Sequence, residues 1–466
     1  MAILSRQASE FDDRIAVGIV GAGACGLTAG IAAAQCGADV LVLEQDARLA
    51  GSTAMSLGAV CAASTAEQRR HGIEDSAELF VADVMEKTRR RAPVDLTELI
   101  ARHCGPAIDW LAEEHDVPLQ LDFKWVGLGH SRPRLHLPPG RNGAQLVALL
   151  ERAASAAGAQ IMTAARVTDL FIADPVTISG VRVRRPDGRH EDLGVDALVL
   201  ATCGYGGNPE LIRELIPEMA QARYFGHEGN RGDALLWGRE LGAALADLGA
   251  YQGLGTLAHP HGIVVPHPLL LEGGWMVNAR GERFTHENRN ISGLCVEVIA
   301  QPDAIAWVIF DSARDQTCLA HSVEQRELHE TGAVRRATSW EELTELCALP
   351  SGSLQRTAER IRALHASGEL DEFGRRFSDV APLAPPYCAV RVTGALFHTQ
   401  GGLCVDSTGR VQRAAGGVFR NLYAGGGAAR GISGPDVTGY LPGAGLCMAI
   451  TLGWIAGRAA GSAARG

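Results

Sequence analysis

Residues 14–46 read RIAVGIVGAGACGLTAGIAAAQCGADVLVLEQD, and this stretch decides the fold. Ile15–Val20 is an unbroken apolar run of the kind that forms a strand buried on both faces. The small residues of Ala24–Cys36 read as a helix, and Ala38–Leu43 as a second buried strand ending at Glu44. Gly21, Gly23 and Gly26 stand between strand and helix with GxGxxG spacing. The first allows the tight turn, the second lets backbone meet a pyrophosphate, and the third lets helix and strand pack closely. Ala24 opens the helix, where unpaired N–H groups face an anion. Glu44, eighteen residues after Gly26, lies where a carboxylate takes ribose hydroxyls and disfavours a phosphorylated ribose. The expectation is a Rossmann-like α/β dinucleotide-binding domain.

The next segment, AGSTAMSLGAV (50–60), has no place in a plain nicotinamide dehydrogenase. Gly51, Ser52, Thr53, Ser56 and Gly58 suit packing around a flavin and its phosphates. Residues 66–150 are mostly helical in pattern. A strand-like run at 160–172 and a hairpin at 181–202, with a DG turn, follow. That hairpin ends at Ala201 and runs into CGYGGNPE (203–210), where Gly204 opens a second glycine-rich turn along the dinucleotide. From 253 to 398 the pattern becomes α+β without such turns. The dinucleotide style then resumes with Gly425 and Gly426 in NLYAGGGAARGISG (421–434), and with Gly445 near the start of a closing helix. The expected division is 1–252 and 399–466 for a discontinuous nucleotide domain, with 253–398 an inserted cap that lids the site.

Composition narrows the possibilities. The chain has 466 residues, 46% of them hydrophobic, and a formal net charge of -10, which argues against a nucleic-acid partner. Its eleven cysteines include no CxxC or CxxCH, excluding an attached c-type haem, a ferredoxin-like cluster or a zinc ribbon. MAILSRQASEFDDR lacks the apolar core of a signal peptide, so reduced thiols and a cytoplasmic location are expected. GLCMAITLGWIAG reads as too short and too glycine-rich for a membrane span. Imidazoles at His259, His261 and His267 lack acidic neighbours at metal-site spacing. TRRRAP (88–93) reads as a solvated helix face, and RPR (132–134) with His136 as lining the entrance to the site.

GAGACG with Glu44, GSTAMSLGA, ATCGYGGNP, VNARGERFTHE, HTQGG and LYAGGG…GWIAG occur in one order along nearly the whole chain. Together they resemble the fumarate reductase / 3-ketosteroid dehydrogenase superfamily of FAD flavoproteins. The resemblance implies noncovalent FAD, a cap closing on it, and a substrate-facing histidine in the HTxGG motif, here His398. His259 and Glu272, thirteen residues apart, match the reductases' spacing. The relay arginine after Glu272 is missing, and Ile291 stands four residues after Glu287, where a second arginine is expected. The position of a third, before the closing helix, falls on Tyr440.

An arginine grips carboxylates with a planar fork, whereas a phenol suits a ketone or enolate oxygen. Tyr440-Leu-Pro-Gly is similar to the ketosteroid dehydrogenase arrangement, although that family's base is also replaced by Ile291. The resemblance therefore implies oxidoreduction at a CH–CH bond, with α,β-dehydrogenation of a cyclic or steroid-like ketone as the first expectation. Tyr440 would polarise the carbonyl, and His398 is the foremost base among His398, Glu272, Arg289 and His286. Reduction of an activated C=C bond, of fumarate or urocanate type, and a flavin-binding protein with a degenerate site remain alternatives. Arg430 stays open as a carboxylate anchor or a phosphate-facing arginine. The expected partners are a small carbonyl substrate and a separate electron acceptor or donor.

Overall fold

The computed structural model describes residues 2–123 and 126–465. They form two compact units. One takes the chain up to Ile216, Gly226–Tyr251 and everything from His398 on; the other takes Pro217–Phe225 and Gln252–Phe397. Pro217–Phe225 thus joins the second unit, although the pattern of the sequence leaves it in the first.

In the first unit, β1 (Arg14–Val20), α1 (Ala24–Gln35) and β2 (Val40–Leu43) form the strand–helix–strand core read from residues 14–46. The two strands pair in parallel from Val17↔Val40 to Val20↔Leu43, and β2 pairs in parallel with Gln160–Met162. On its other side β1 pairs in parallel with β3 (His190–Leu200), which pairs in parallel with β4 (Val418–Ala424). Val17, Ile19, Val40 and Val42 are fully buried, as strands covered on both faces require. Arg166–Asp174 and Thr177–Arg184 extend the sheet as an antiparallel meander into β3.

α2 (Ala77–Lys87) belongs to a helical layer early in the chain, whereas α3 (Ala444–Ala463) closes the unit against α1. A Cβ on Gly453, Gly457 or Gly461 would lie 2.5, 2.3 or 2.8 Å from the carbonyl oxygen of Cys25, Ala29 or Ala33. Glycine every fourth residue therefore puts α3 at backbone contact with α1. The expectation of a run too short for a membrane is corrected: the helix has 20 residues and passes by length and composition. Yet 67% of its apolar window is buried, the setting of a core helix.

The second unit is built on the long strand Tyr387–Thr399, whose last two residues re-enter the first unit. Ile305–Asp311 and Val334–Ala337 pair with it antiparallel, Arg223–Tyr224 parallel. Trp275–Asn278 adds to Ile305–Asp311. Alternate residues serve opposite faces: Met276, Val308 and Val390 fill one core, Trp275, Ile309 and Ala389 the other. The VNARGERFTHE motif is structural here. Buried Glu287 accepts from Arg283 and from Arg375, each at 2.8 Å. Burial would raise its pKa, but the two guanidiniums outweigh it and hold the carboxyl below its ordinary value.

Candidate active site

At one end of the first unit, backbone geometry makes a cradle. Gly21 adopts φ +105°, and a Cβ there would lie 2.5 Å from the Ala201 carbonyl oxygen. On Gly26 it would lie 1.8 Å from the Gly21 carbonyl oxygen, so the protein's own packing demands both glycines. Gly23 differs, since its Cβ would meet only Thr53 Oγ1 at 3.3 Å, and at Gly51 nothing lies within 4 Å. These two leave space beside the first turn of α1, where the N-cap Gly23 brings no side-chain acceptor. The Ala24 N–H, expected to face the ligand, donates instead to Thr53 Oγ1 at 3.0 Å.

Glu44 accepts the Ala22 N–H at 2.9 Å and the Asp46 N–H at 3.0 Å. That fixes the carboxylate at the end of β2 with lone pairs to spare for hydroxyls. Ser52 Oγ accepts from Asn230 Nδ2 at 2.7 Å and from the Cys203 thiol at 3.6 Å. Thr202 Oγ1, next to Ala201, is buried without a protein partner. Gly204 and Gly425 serve close packing: a Cβ would lie 2.0 Å from Thr399 Oγ1 or 2.6 Å from Cys25 Sγ. Gly426 and Gly58 take positive φ at turns, of +57° and +74°. The open glycines, the uncapped helix start, the fixed acid and the unsatisfied hydroxyl fit a dinucleotide such as FAD. Gly21–Gly23 and the α1 start would hold its pyrophosphate, and Glu44 its ribose.

α3 runs parallel to α1, so its start lies on the same side of the unit; it begins after Gly443, which has φ +81°. Gly445 is exposed in the first turn of a mostly buried helix. A Cβ there would sit 3.5 Å from His398 Cε1 and 3.6 Å from Nε2, so the imidazole edge borders this opening. His398 Nδ1 lies 3.3 Å from the Thr399 carbonyl oxygen and donates to it, leaving Nε2 as an acceptor. Burial pulls the His398 pKa down, against the weaker effect of that carbonyl, and keeps the ring neutral. The Tyr440 ring packs edge-on, 6.4 Å from His398 at 70°. Burial, reinforced by Cys61, pushes its pKa well up, so the phenol stays protonated as a donor.

His398 and Tyr440 are thus brought together, 42 residues apart in sequence. Glu272 and His259 belong to the second unit. Glu272 is exposed at the end of the short Pro268–Leu271 helix, and its carbonyl oxygen accepts from Arg314 Nε at 2.8 Å. The His259 N–H donates to the Arg391 carbonyl oxygen at 2.9 Å. Burial and then the charges of Arg391 and Arg223 lower its pKa. Ile291, where an arginine or tyrosine is expected, packs with Leu254, Leu257, Phe225 and Phe397 in an apolar cluster. Arg430 is committed to Asp247 at 2.6 Å.

Two expectations are corrected. Arg134 and His136 do not line an entrance, because both are fully buried. Arg134 makes two 2.7 Å bonds to Asp75 and pairs with Asp83, which neutralise its charge, and His136 meets Thr65 Oγ1 at 2.9 Å. In TRRRAP, the α2 helix ends at Thr88 and Arg91 pairs with Asp436 instead of facing solvent alone. Thr399 went unread. Its hydroxyl accepts the Tyr205 N–H at 3.1 Å and seats the Gly204 turn beside His398, a role its place in HTQGG could have suggested. Among the described residues no group of three His, Cys, Asp or Glu gathers in metal-binding geometry.

Two parallel helices of one α/β unit that start at glycines, an acid fixed beside the start of one and a neutral histidine–tyrosine pair beside the start of the other, fit a flavoprotein. The sequence pattern of the FAD binding domain family matches residues 17–447, and the chain belongs to that family. It is 28% identical over 442 residues to a probable fumarate reductase, Ifc3, of Shewanella frigidimarina (strain NCIMB 400), covering 94% of this chain and 73% of the relative. Its fold matches the open conformation of a flavocytochrome c3 fumarate reductase with TM-score 0.84 and 27% identity, over 98% of this chain and 80% of that one. It also matches the 3-ketosteroid-Δ4-(5α)-dehydrogenase of Rhodococcus jostii RHA1 with TM-score 0.78 and 25% identity, over 98% and 99% of the two chains. The protein is an FAD-dependent oxidoreductase acting on CH–CH bonds.

Proposed function

We propose that the protein reduces a C=C bond activated by a neutral carbonyl group, holding the carbonyl oxygen at the start of α3. The His398–Tyr440 pair beside exposed Gly445 carries this reading. A phenol that stays protonated donates to an oxygen on which negative charge grows, and one such donor contributes ~3–4 kcal/mol in other enzymes. The positive end of a twenty-residue helix adds to it. FAD, when bound, supplies hydride transfer to or from carbon. The chain's own part is to orient the oxygen through Tyr440 and to deliver to carbon a proton that Nε2 of His398 first takes up from solvent.

The likeness to a probable fumarate reductase supports the reducing direction. Isoleucine and tyrosine where arginines would grip a diacid support a neutral carbonyl over fumarate itself. A second reading runs the reaction backwards, as α,β-dehydrogenation of a cyclic or steroid-like ketone with His398 taking the α-proton. The likeness to a ketosteroid dehydrogenase favours it. A separate electron donor or acceptor and a cytoplasmic location complete the proposal.

The test is anaerobic. Photoreduced holoprotein is mixed with cyclohex-2-enone, 4-androstene-3,17-dione or fumarate while the visible flavin band is followed. Fast reoxidation by an enone and slow reoxidation by fumarate are expected. Reoxidation by fumarate alone overturns the neutral-carbonyl assignment. Bleaching of oxidised protein by saturated ketones, without reoxidation by enones, selects the second reading, and silence in both directions removes both.

A further inference from the structure

Tyr440 lies on the segment 433–443, SGPDVTGYLPG, which crosses from the glycine cluster to α3. The segment is tightly folded: a Cβ on Gly439 would be 1.9 Å from the Ser433 carbonyl oxygen and 2.8 Å from Thr88 Cγ2. It is also tied down on both sides of Tyr440 by residues far away in sequence. On one side, Arg91 donates through Nη1 to Asp436 Oδ2 at 2.5 Å and through Nη2 to Thr438 Oγ1 at 3.0 Å. Asp436 in turn accepts the Thr438 N–H at 2.9 Å, which closes the turn. On the other side, His130 Nε2 donates to the Pro442 carbonyl oxygen at 2.9 Å.

His130 is itself held from behind. The Ser131 N–H and hydroxyl both donate to Asp83 Oδ2, at 2.7 and 2.9 Å. Asp83 pairs with Arg134, and Arg134 with Asp75, all within the buried interior. Gly127 and Gly129 take positive φ so that the loop lies flat. Their Cβ atoms would press within 3.1 Å of His130 Cδ2 and 3.4 Å of Leu441 Cδ2. The Ser131–His130 step links this buried ion triad to the segment before α3.

We propose that Arg91 and His130 are positioning residues that fix the Tyr440 phenol beside His398. In this arrangement the 433–443 segment sets which oxygen the site accepts, in the place where arginines would select a diacid. The inference rests on Tyr440 meeting the substrate oxygen, and the test reads Tyr440 itself, without substrate. Holoprotein is labelled with 3-fluorotyrosine, whose six ¹⁹F lines correspond to the six tyrosines. The Tyr440 line is assigned by its loss in Tyr440→Phe.

Arg91→Ala and His130→Ala are each expected to shift or split that line while the others hold. His130→Gln, whose amide can still donate to Pro442, is expected to restore it. A sharp, unshifted Tyr440 line in either alanine variant overturns the proposal. If His130→Ala fails to retain FAD, Arg91→Ala decides alone, because its side chain is 41% exposed and outside the core. A moved line together with no enone turnover in wild type places the failure in the proposed function and not in this inference.

Discussion

Two helices of the first unit begin at glycines, α1 after Gly23 and α3 after Gly443, and they are built on opposite plans. The turn into α1 is shaped mostly within residues 14–46, with Thr53, Ala201, Gly425 and Gly453 its partners from outside. Gly21 and Gly26 are pressed against backbone, which cannot yield. The α3 start borrows its chemistry from residues 91, 130, 398 and 440, and its own Gly445 is exposed beside the His398 ring. The first start is rigid because of what the chain is locally. The second is specific because of what distant parts bring to it.

Glycine substitution is the sharpest way to break this contrast. Gly26→Ala would drive a methyl into the Gly21 carbonyl, at a cost of about 3 kcal/mol, with loss of bound FAD. Thermal unfolding and flavin content measure it, and a stable yellow variant would refute the rigid plan. Tyr440→Phe removes one donor and leaves the cradle untouched. Turnover should fall by roughly 100-fold or more, with FAD content unchanged, on the range known for single oxyanion donors. Equal turnover would remove Tyr440 from the chemistry.

Acid should separate the two helix starts next. Burial pulls His130 and His136 down to about 4, with the bonds to Pro442 and Arg134 acting weakly against it. Between pH 6.5 and 4 the unfolded chain binds protons that these native rings refuse, so their contribution to stability is intact above 6.5 and drains away as pH falls to 4. The loss is on the order of 3 kcal/mol for each ring. Hydrogen exchange at pH 5 should therefore quicken at the α3 start before the α1 start, and His130→Gln should flatten the dependence of Tm on pH. The smallest effect on stability belongs to Gly445→Ala, whose methyl makes only ordinary contact with His398. It should fold within ~1 kcal/mol of wild type and yet bind FAD or turn over less well. A variant normal in all three respects would place the opening outside the site.

Legibility followed the same division. Strand, turn, helix, strand and terminal acid of residues 14–46 were readable because their partners are neighbours. His398 and Tyr440 could be named from their motifs, but not their mutual placement. His130 and Arg91 could not be named at all, since their partners stand 312 and 345 residues away. Arg134 and His136 misled because charge in a sequence suggests solvent, and only the fold reveals that Asp75 and Asp83 wait behind them. The length of α3 was missed because its glycines resemble breaks, although they are the contacts with α1.

That contact has a consequence for how the chain is made. The glycine face that covers α1, from Gly453 to Gly461, follows it by more than 400 residues, and β4, a neighbour of β3, follows that strand by more than 200. During translation the small-residue side of α1 has no lasting cover. Lasting cover of α1, and with it a settled cradle, therefore waits until α3 has been made.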